Sequence, residues 1–279
     1  MMEIRRLGER IGAEIVGVDV RAMDDATFAR VYRAWLDYNV VAVRGQELTV
    51  EDFLAYSRRF GRLHTHCVKS ANDARYPELA VLGVNKFGPD GKLKREVYAR
   101  GAGGFHTDGA YDKEPFKATQ LHALAIPSRG GDTHFASLYA AYDALPPRLR
   151  ERLERCRGTY LMGHHSWDAV PPTDEQLKAK AVSHPILRTH PETGRKALYF
   201  DATKIMRIEG LEKAESDALI EELEGYTRQP GGAYCHNWSK GDIVIWDNRC
   251  SLHKAAGDYP PHEDRIHWRV SIKDTAAVG

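Results

Sequence analysis

From Leu79 onward the chain breaks into many short apolar runs separated by turn markers, and this texture constrains the fold more than any other feature. Candidate strands are Leu79–Val84, Ala118–Ala125, Thr133–Phe135, Thr159–Gly163, Ile186–Thr189, Ala197–Phe200, Ala233–Trp238, Asp242–Trp246 and Ile266–Lys273. The markers between them are PDG at 89–91, GG at 130–131, PETG at 191–194, PGG at 230–232 and KGD at 240–242. Helical spacing interrupts at about 137–155, 173–180 and 211–226. Many short strands with few helices predict a mainly β fold with outer helices around a double-stranded β-helix, or jelly-roll, core. A doubly wound sheet would alternate strand and helix throughout, and the second half does not.

The first 60 residues read strand, helix, strand, helix. A strand is expected over Ile11 to Val20. Asp24 or Asp25 caps a helix whose apolar positions Phe28, Val31, Trp35 and Leu36 follow a 3.6-residue period. Val40 to Val43 is a buried strand. Thr49 caps a second helix that buries Phe53, Leu54, Tyr56 and Phe60 and stops at Gly61. No repeat, low-complexity tract or linker divides the chain, so residues 1–279 are expected to form one domain.

Forty Lys+Arg against 39 Asp+Glu argue against a dedicated nucleic-acid or anionic-membrane surface. The apolar runs fall far short of the roughly 20 residues a membrane helix needs. The N-terminus carries no apolar signal segment. The four cysteines have no CxxC spacing and read as reduced thiols, consistent with a cytoplasmic location.

Thirteen histidines justify a search for metal ligands. Residues two apart on a strand share a face, so His106 and Asp108 in Gly104-Phe105-His106-Thr107-Asp108 can present an imidazole and a carboxylate to one point. These are two members of a facial two-histidine, one-carboxylate set, which leaves positions open on Fe(II). A distant histidine must complete it. His253, following the apolar strand Ile243-Val244-Ile245-Trp246, is the leading candidate, and His122, His134, His164, His165 and His236 compete. Arg265 and Arg269 lie four apart on a strand and so share a face. Two inward guanidiniums call for carboxylate-like ligands.

In these motifs the sequence resembles the taurine dioxygenase (TauD/TfdA) family of Fe(II)- and 2-oxoglutarate-dependent oxygenases. The marks run along nearly the whole chain: Val43-Arg44-Gly45-Gln46, Phe60 to His66, His106-Thr107-Asp108, Gly130 to Ser137, Arg188 to Pro191, Gly194 to Tyr199, Trp246-Asp247-Asn248-Arg249 with His253, then Arg265 and Arg269. The resemblance implies a double-stranded β-helix and an iron site of His106, Asp108 and His253. It implies Thr133 and Arg265 for the distal carboxylate of 2-oxoglutarate, and Arg269, His66 and the Gly109 N–H near an anionic primary substrate. O₂ is the other cosubstrate, and succinate and CO₂ are products. Lys204 is expected to add positive charge, and Tyr111 and Phe105 to line an apolar or aryl part of the pocket. Arg100 to Phe105 offers no obvious partner for an amine and Lys69 offers a cation, so a carboxylate or sulfate with an apolar body is expected rather than taurine. The enzyme is expected to hydroxylate, and by collapse of the product to cleave, a small anionic organic molecule. It is expected to be a homo-oligomer with neither nucleic acid nor membrane as partner. The alternative is a non-oxygenase metal protein on the same fold, such as a zinc hydrolase.

Overall fold

The computed structural model describes residues 2–65, 75–83, 104–161 and 181–274. The chain opens with a hairpin of β1 (Glu3–Arg6) and β2 (Ala13–Val16), followed by α1 (Asp25–Tyr38), β3 (Val40–Val43) and α2 (Val50–Arg58). Three strands follow, β4 (Arg62–His64), β5 (Ala80–Leu82) and the long β6 (Ala118–Ala125). Next come β7 (Thr133–Ser137), α3 (Leu138–Ala144), α4 (Pro147–Leu153), β8 (Arg157–Tyr160), β9 (Val182–Pro185), β10 (Leu187–Thr189), β11 (Lys196–Leu198) and β12 (Ile205–Ile208). The chain closes with α5 (Lys213–Tyr226), β13 (Ala233–His236), β14 (Ile243–Asp247), β15 (Ser251–Ala255) and β16 (Ile266–Lys273).

The major sheet has the order β1-β2-β3-β14-β6-β16-β4, with β5 also paired to β16. A smaller sheet has the order β13-β7-β15. Side-chain alternation explains how the two make a core. Val41 and Val43 on β3, Ile243 and Ile245 on β14, and Val270 and Ile272 on β16 face Val31 and Trp35 of α1 and Phe53 and Leu54 of α2. The alternate residues Val40, Ala42, Leu121, Val244 and Trp246 turn inward and pack with Phe135 of the smaller sheet. This is the jelly-roll arrangement with helices outside, and strands buried on both faces read as continuous apolar runs.

The helix starts follow their caps. Asp24 Oδ1 accepts from Thr27 N at 2.7 Å. Thr49 and Asp52 form a reciprocal capping box at 3.1 and 3.0 Å.

Several expectations are corrected. The first strand covers only Ala13–Val16, because Gly12 and Gly17 on either side have φ of +92° and +76°, outside the extended region. Its hairpin partner β1 was not expected, since its burial pattern is largely exposed. The helix expected over 137–155 is two helices, broken where Leu145 is extended before Pro146-Pro147. His106 and Asp108 do not sit on one regular strand. His106 makes a single bridge to His253, and Asp108 lies in a turn. His253, after the apolar strand β14, is the middle residue of a further strand, β15. The helix expected over 173–180 lies outside the described residues.

Beneath α1 lies a buried ionic network. Arg249 Nε donates to Asp247 Oδ1 at 2.9 Å and its Nη2 donates to Oδ2 at 2.6 Å, while Nη1 donates to Glu192 at 2.7 Å. His190 Nε2 lies 3.0 Å from Asp247 Oδ2. Burial alone would raise the Asp247 carboxyl. The Arg249 charge and hydrogen bonds, then His190, outweigh it and hold the group well below the usual carboxylate range. A depressed carboxyl contributes stability that is complete above its unfolded pKa of about 4 and is lost as pH falls through that region toward the folded value. Asp247→Asn should therefore cost about 3 kcal/mol at pH 7, the lower end for a broken buried pair because Glu192 still holds Arg249. The penalty relative to wild type should shrink at pH 3, about one unit below the unfolded pKa. Denaturant midpoints at the two pH values check this, and an equal deficit at both would refute it.

Candidate active site

The site is built where the turn after Gly104 crosses β15. His106 N donates to His253 O at 3.0 Å and His253 N donates back to His106 O at 2.8 Å. These two bonds set the imidazoles side by side, ring centroids 4.2 Å apart. The next residues are pinned from other elements. Thr107 N donates to Asp201 Oδ2 at 3.0 Å, and Thr107 Oγ1 donates to the Asn248 carbonyl at 2.7 Å. Gly109, at φ +76°, lets the turn close against Phe116, because a Cβ there would lie 2.6 Å from the Phe116 ring. Asp108 is thereby swung toward β15, with Oδ2 3.7 Å from His253 Nε2. One ligand atom each of His106, Asp108 and His253 lies within 4.8 Å of the others.

The chemical state of these groups fits a divalent metal. His106 Nδ1 lies 3.0 Å from the Gly104 carbonyl, which can only accept, so Nδ1 carries the proton and Nε2 the lone pair. Burial, then the positive charge of Lys204, lowers the His106 pKa. Burial pushes His253 well below its ordinary value, so both rings are neutral. Burial would raise Asp108, but the Arg269 guanidinium beside it holds it far below the usual carboxylate range. Arg269 Nη2 is 2.8 Å from Asp108 Oδ1. Two neutral imidazoles and one carboxylate are the donor set of a non-haem Fe(II) site.

A second feature lies on the same inner face. Arg265 Nε donates to Gly131 O at 2.6 Å and Nη2 donates to Thr133 Oγ1 at 3.2 Å, while Trp238 Nε1 donates to the same hydroxyl at 3.0 Å. All these partners are neutral, and among the described residues no carboxylate pairs with Arg265. Burial pushes its pKa down and outweighs the opposing charge of Asp132 further off. His267, on the same strand face between the two arginines, is fully buried with neither ring nitrogen hydrogen-bonded. Such a surface suits the carboxylate of a bound acid.

The other expected residues fare differently. Tyr111 packs edge-on to Phe116, centroids 6.4 Å apart. Lys204 is near the site, but its ammonium donates to Asp201 at 2.8 Å and to the Thr107 carbonyl at 3.1 Å. Paired with Asp201 and the Thr107 carbonyl, it braces the turn, and its positive charge is still felt at His106. His66 and Lys69 lie outside the described residues, as do His164 and His165. His122 packs on Phe53 and Trp268, and His236 bonds Asp242 and Tyr234. A second trio of possible ligands, His190, Asp247 and Cys250, has its carboxylate engaged by Arg249. Sequence reasoning missed Asp201, Thr119 and His267, whose single letters carry no motif. Asn248 was quoted only as part of a family mark.

Residues 3–271 match the taurine catabolism dioxygenase TauD, TfdA family. The chain belongs to that family. It is 32% identical over 287 residues to an (S)-phenoxypropionate/alpha-ketoglutarate-dioxygenase of Sphingobium herbicidovorans, covering 97% of this chain and 94% of the relative. It is 31% identical over 285 residues to an alpha-ketoglutarate-dependent 2,4-dichlorophenoxyacetate dioxygenase of Cupriavidus pinatubonensis, covering 95% and 96%. Among solved structures, AAD-2 in complex with Mn(II) and N-oxalylglycine superposes with a TM-score of 0.85 at 26% identity, covering 100% of this chain and 99% of that one. Among the described residues, no helix of this TauD/TfdA-family chain is long and apolar enough to cross a membrane.

Proposed function

We propose that this TauD/TfdA-family enzyme hydroxylates a small carboxylate with an apolar or aryl body. As a family member it is a 2-oxoglutarate-dependent oxygenase and works with Fe(II), 2-oxoglutarate and O₂. The observation that carries the residue assignment is the His106–Asp108–His253 cluster together with a half-buried Arg265 whose hydrogen bonds go to the neutral Gly131 carbonyl and Thr133 hydroxyl. A zinc hydrolase on the same three ligands would have no use for that arginine, and the family match sets it aside.

In this reading His106 and His253 give neutral nitrogens to the metal and Asp108 gives the carboxylate oxygen. The chemistry that Fe(II) supplies when bound is activation of O₂, coupled to oxidation of 2-oxoglutarate to succinate and CO₂. Arg265 and the Thr133 hydroxyl hold the distal carboxylate of 2-oxoglutarate, and Gly131 makes room, since a Cβ there would lie 3.1 Å from Arg265 Cδ. Trp246 and Phe135 pack on the His253 ring, at 4.6 and 6.4 Å between centroids, and keep water from that side. Arg269 serves two ends, bracing Asp108 and presenting its charge to the anion of the primary substrate, with His66 and the Gly109 N–H as further contacts. Phe105 and Tyr111 line the apolar part. A cytoplasmic location is supported by the free Cys156, Cys235 and Cys250. Homo-oligomeric assembly belongs to the same proposal, and light scattering reads it directly.

The relatives named for phenoxyalkanoates support the choice of a carboxylate. Substrate-stimulated succinate release should be largest with 2-aryloxy carboxylates and at least ~10-fold smaller with taurine, the scale of one missing anchoring interaction of about 1.4 kcal/mol. A screen across carboxylates, sulfate esters, sulfonates and amines checks this. Stimulation by taurine alone, or by cations alone, would overturn it.

A further inference from the structure

The turn that carries Asp108 is held by a hydrogen-bond chain whose direction follows from chemistry alone. Trp246 Nε1 can only donate, and it lies 3.0 Å from Asn248 Oδ1. The same oxygen is 3.3 Å from the Asp108 N–H. The amide of Asn248 is therefore oriented with its NH₂ toward Thr119, Nδ2 to Oγ1 3.0 Å. That nitrogen offers no lone pair, so the Thr119 hydroxyl accepts there. Its single hydrogen is left for Asp108 Oδ2, at 2.7 Å. The whole chain is sealed: Thr119 is 0% exposed, Asn248 1% and Trp246 2%.

We propose that Thr119, aligned by Asn248 and Trp246, is a positioning residue that decides which lone pair of Asp108 faces the metal and so sets metal affinity. The inference rests on the reading of Asp108 as a metal ligand. Oδ1 is taken by Arg269, so Oδ2 is the oxygen on the histidine side. The Thr119 hydrogen occupies one lone pair of Oδ2 and leaves the other directed at the cluster. The terminal torsion of an aspartate is soft, so without this donor the carboxylate, held only by Arg269 at Oδ1, can rock about Cβ–Cγ and turn the ligating lone pair of Oδ2 away from the histidines. Partners of this kind typically change metal affinity 10- to 100-fold.

The test titrates metal-free enzyme with Co(II), reading the dissociation constant by calorimetry and the visible absorption of the bound ion, which reports its coordination number. Thr119→Val and Thr119→Ala should each bind Co(II) about 10- to 100-fold more weakly with an altered band pattern, and Thr119→Ser, which keeps the hydroxyl, should restore both. Either of the first two variants suffices if the other does not fold. A purely structural role would lower the melting temperature of the metal-free protein without moving the spectrum. Asp108→Ala separates the two levels of the argument. If it binds Co(II) as tightly as wild type, the ligand assignment itself fails. If it loses Co(II) while Thr119→Val and Thr119→Ala bind with wild-type affinity and spectrum, or if Thr119→Ser fails to restore them, only the role of Thr119 is overturned.

Discussion

His106→Ala is expected to reduce 2-oxoglutarate turnover by roughly 10³-fold or more, the scale seen when one member of a catalytic unit is removed. The fold should survive. The His106 backbone keeps its two bonds to His253, and among the described residues the lost ring hydrogen-bonds the Gly104 carbonyl alone. Asp108→Ala should abolish turnover as well, with a further cost in stability, because Arg269 loses a buried partner at 2.8 Å. Succinate release with Fe(II) and ascorbate reads the first effect and circular dichroism the second. Wild-type turnover in either variant would mean that these residues do not hold the metal.

The second large effect is expected at Arg265. Its half-buried guanidinium hydrogen-bonds the neutral Gly131 carbonyl and Thr133 hydroxyl, so the carboxylate it receives would be its ion-pair partner. Arg265→Ala would leave that carboxylate unpaired, a loss of about 2–5 kcal/mol, or roughly 30-fold to a few thousandfold in the apparent affinity for 2-oxoglutarate. Thr133→Val removes one hydrogen bond to the ligand, worth about 1 kcal/mol and roughly fivefold. Apparent KM values for 2-oxoglutarate at saturating primary substrate separate the two. Equal small effects would place the distal carboxylate elsewhere.

These experiments bear on residues that were legible to very different degrees. The caps of α1 and α2 were readable because capping is local: Asp24 and Thr49 act on backbone within three residues of themselves. β3, β6 and β16 were readable to the residue, β3 because a strand packed on both faces is a purely apolar run with sharp ends. β15 was not anticipated as a strand, since Ser251-Leu252-His253-Lys254-Ala255 has neither a clean alternation nor a β-branched residue, and its pairing with β7 alone makes it extended.

The same division runs through the site. The types and order of His106, Asp108, His253, Thr133 and Arg265 could be taken from motifs, because a metal and a dicarboxylate demand those side chains whatever the scaffold. That His106 and Asp108 converge was inferred from a strand that does not exist there. Their convergence comes from one bridge to β15, a turn closed on Phe116, and bonds from Asp201 and Asn248. Lys204 shows the limit most plainly. Sequence alone established a cation, but that its ammonium also rests on the Thr107 carbonyl, 97 positions away at 3.1 Å, was decided by the fold. Short-range propensity, side-chain chemistry and burial pattern are written in consecutive residues. The orientation of the Asp108 turn and the anchoring of the Lys204 ammonium on the Thr107 carbonyl depend on groups more than 90 positions away, which only the packed chain brings within hydrogen-bonding distance.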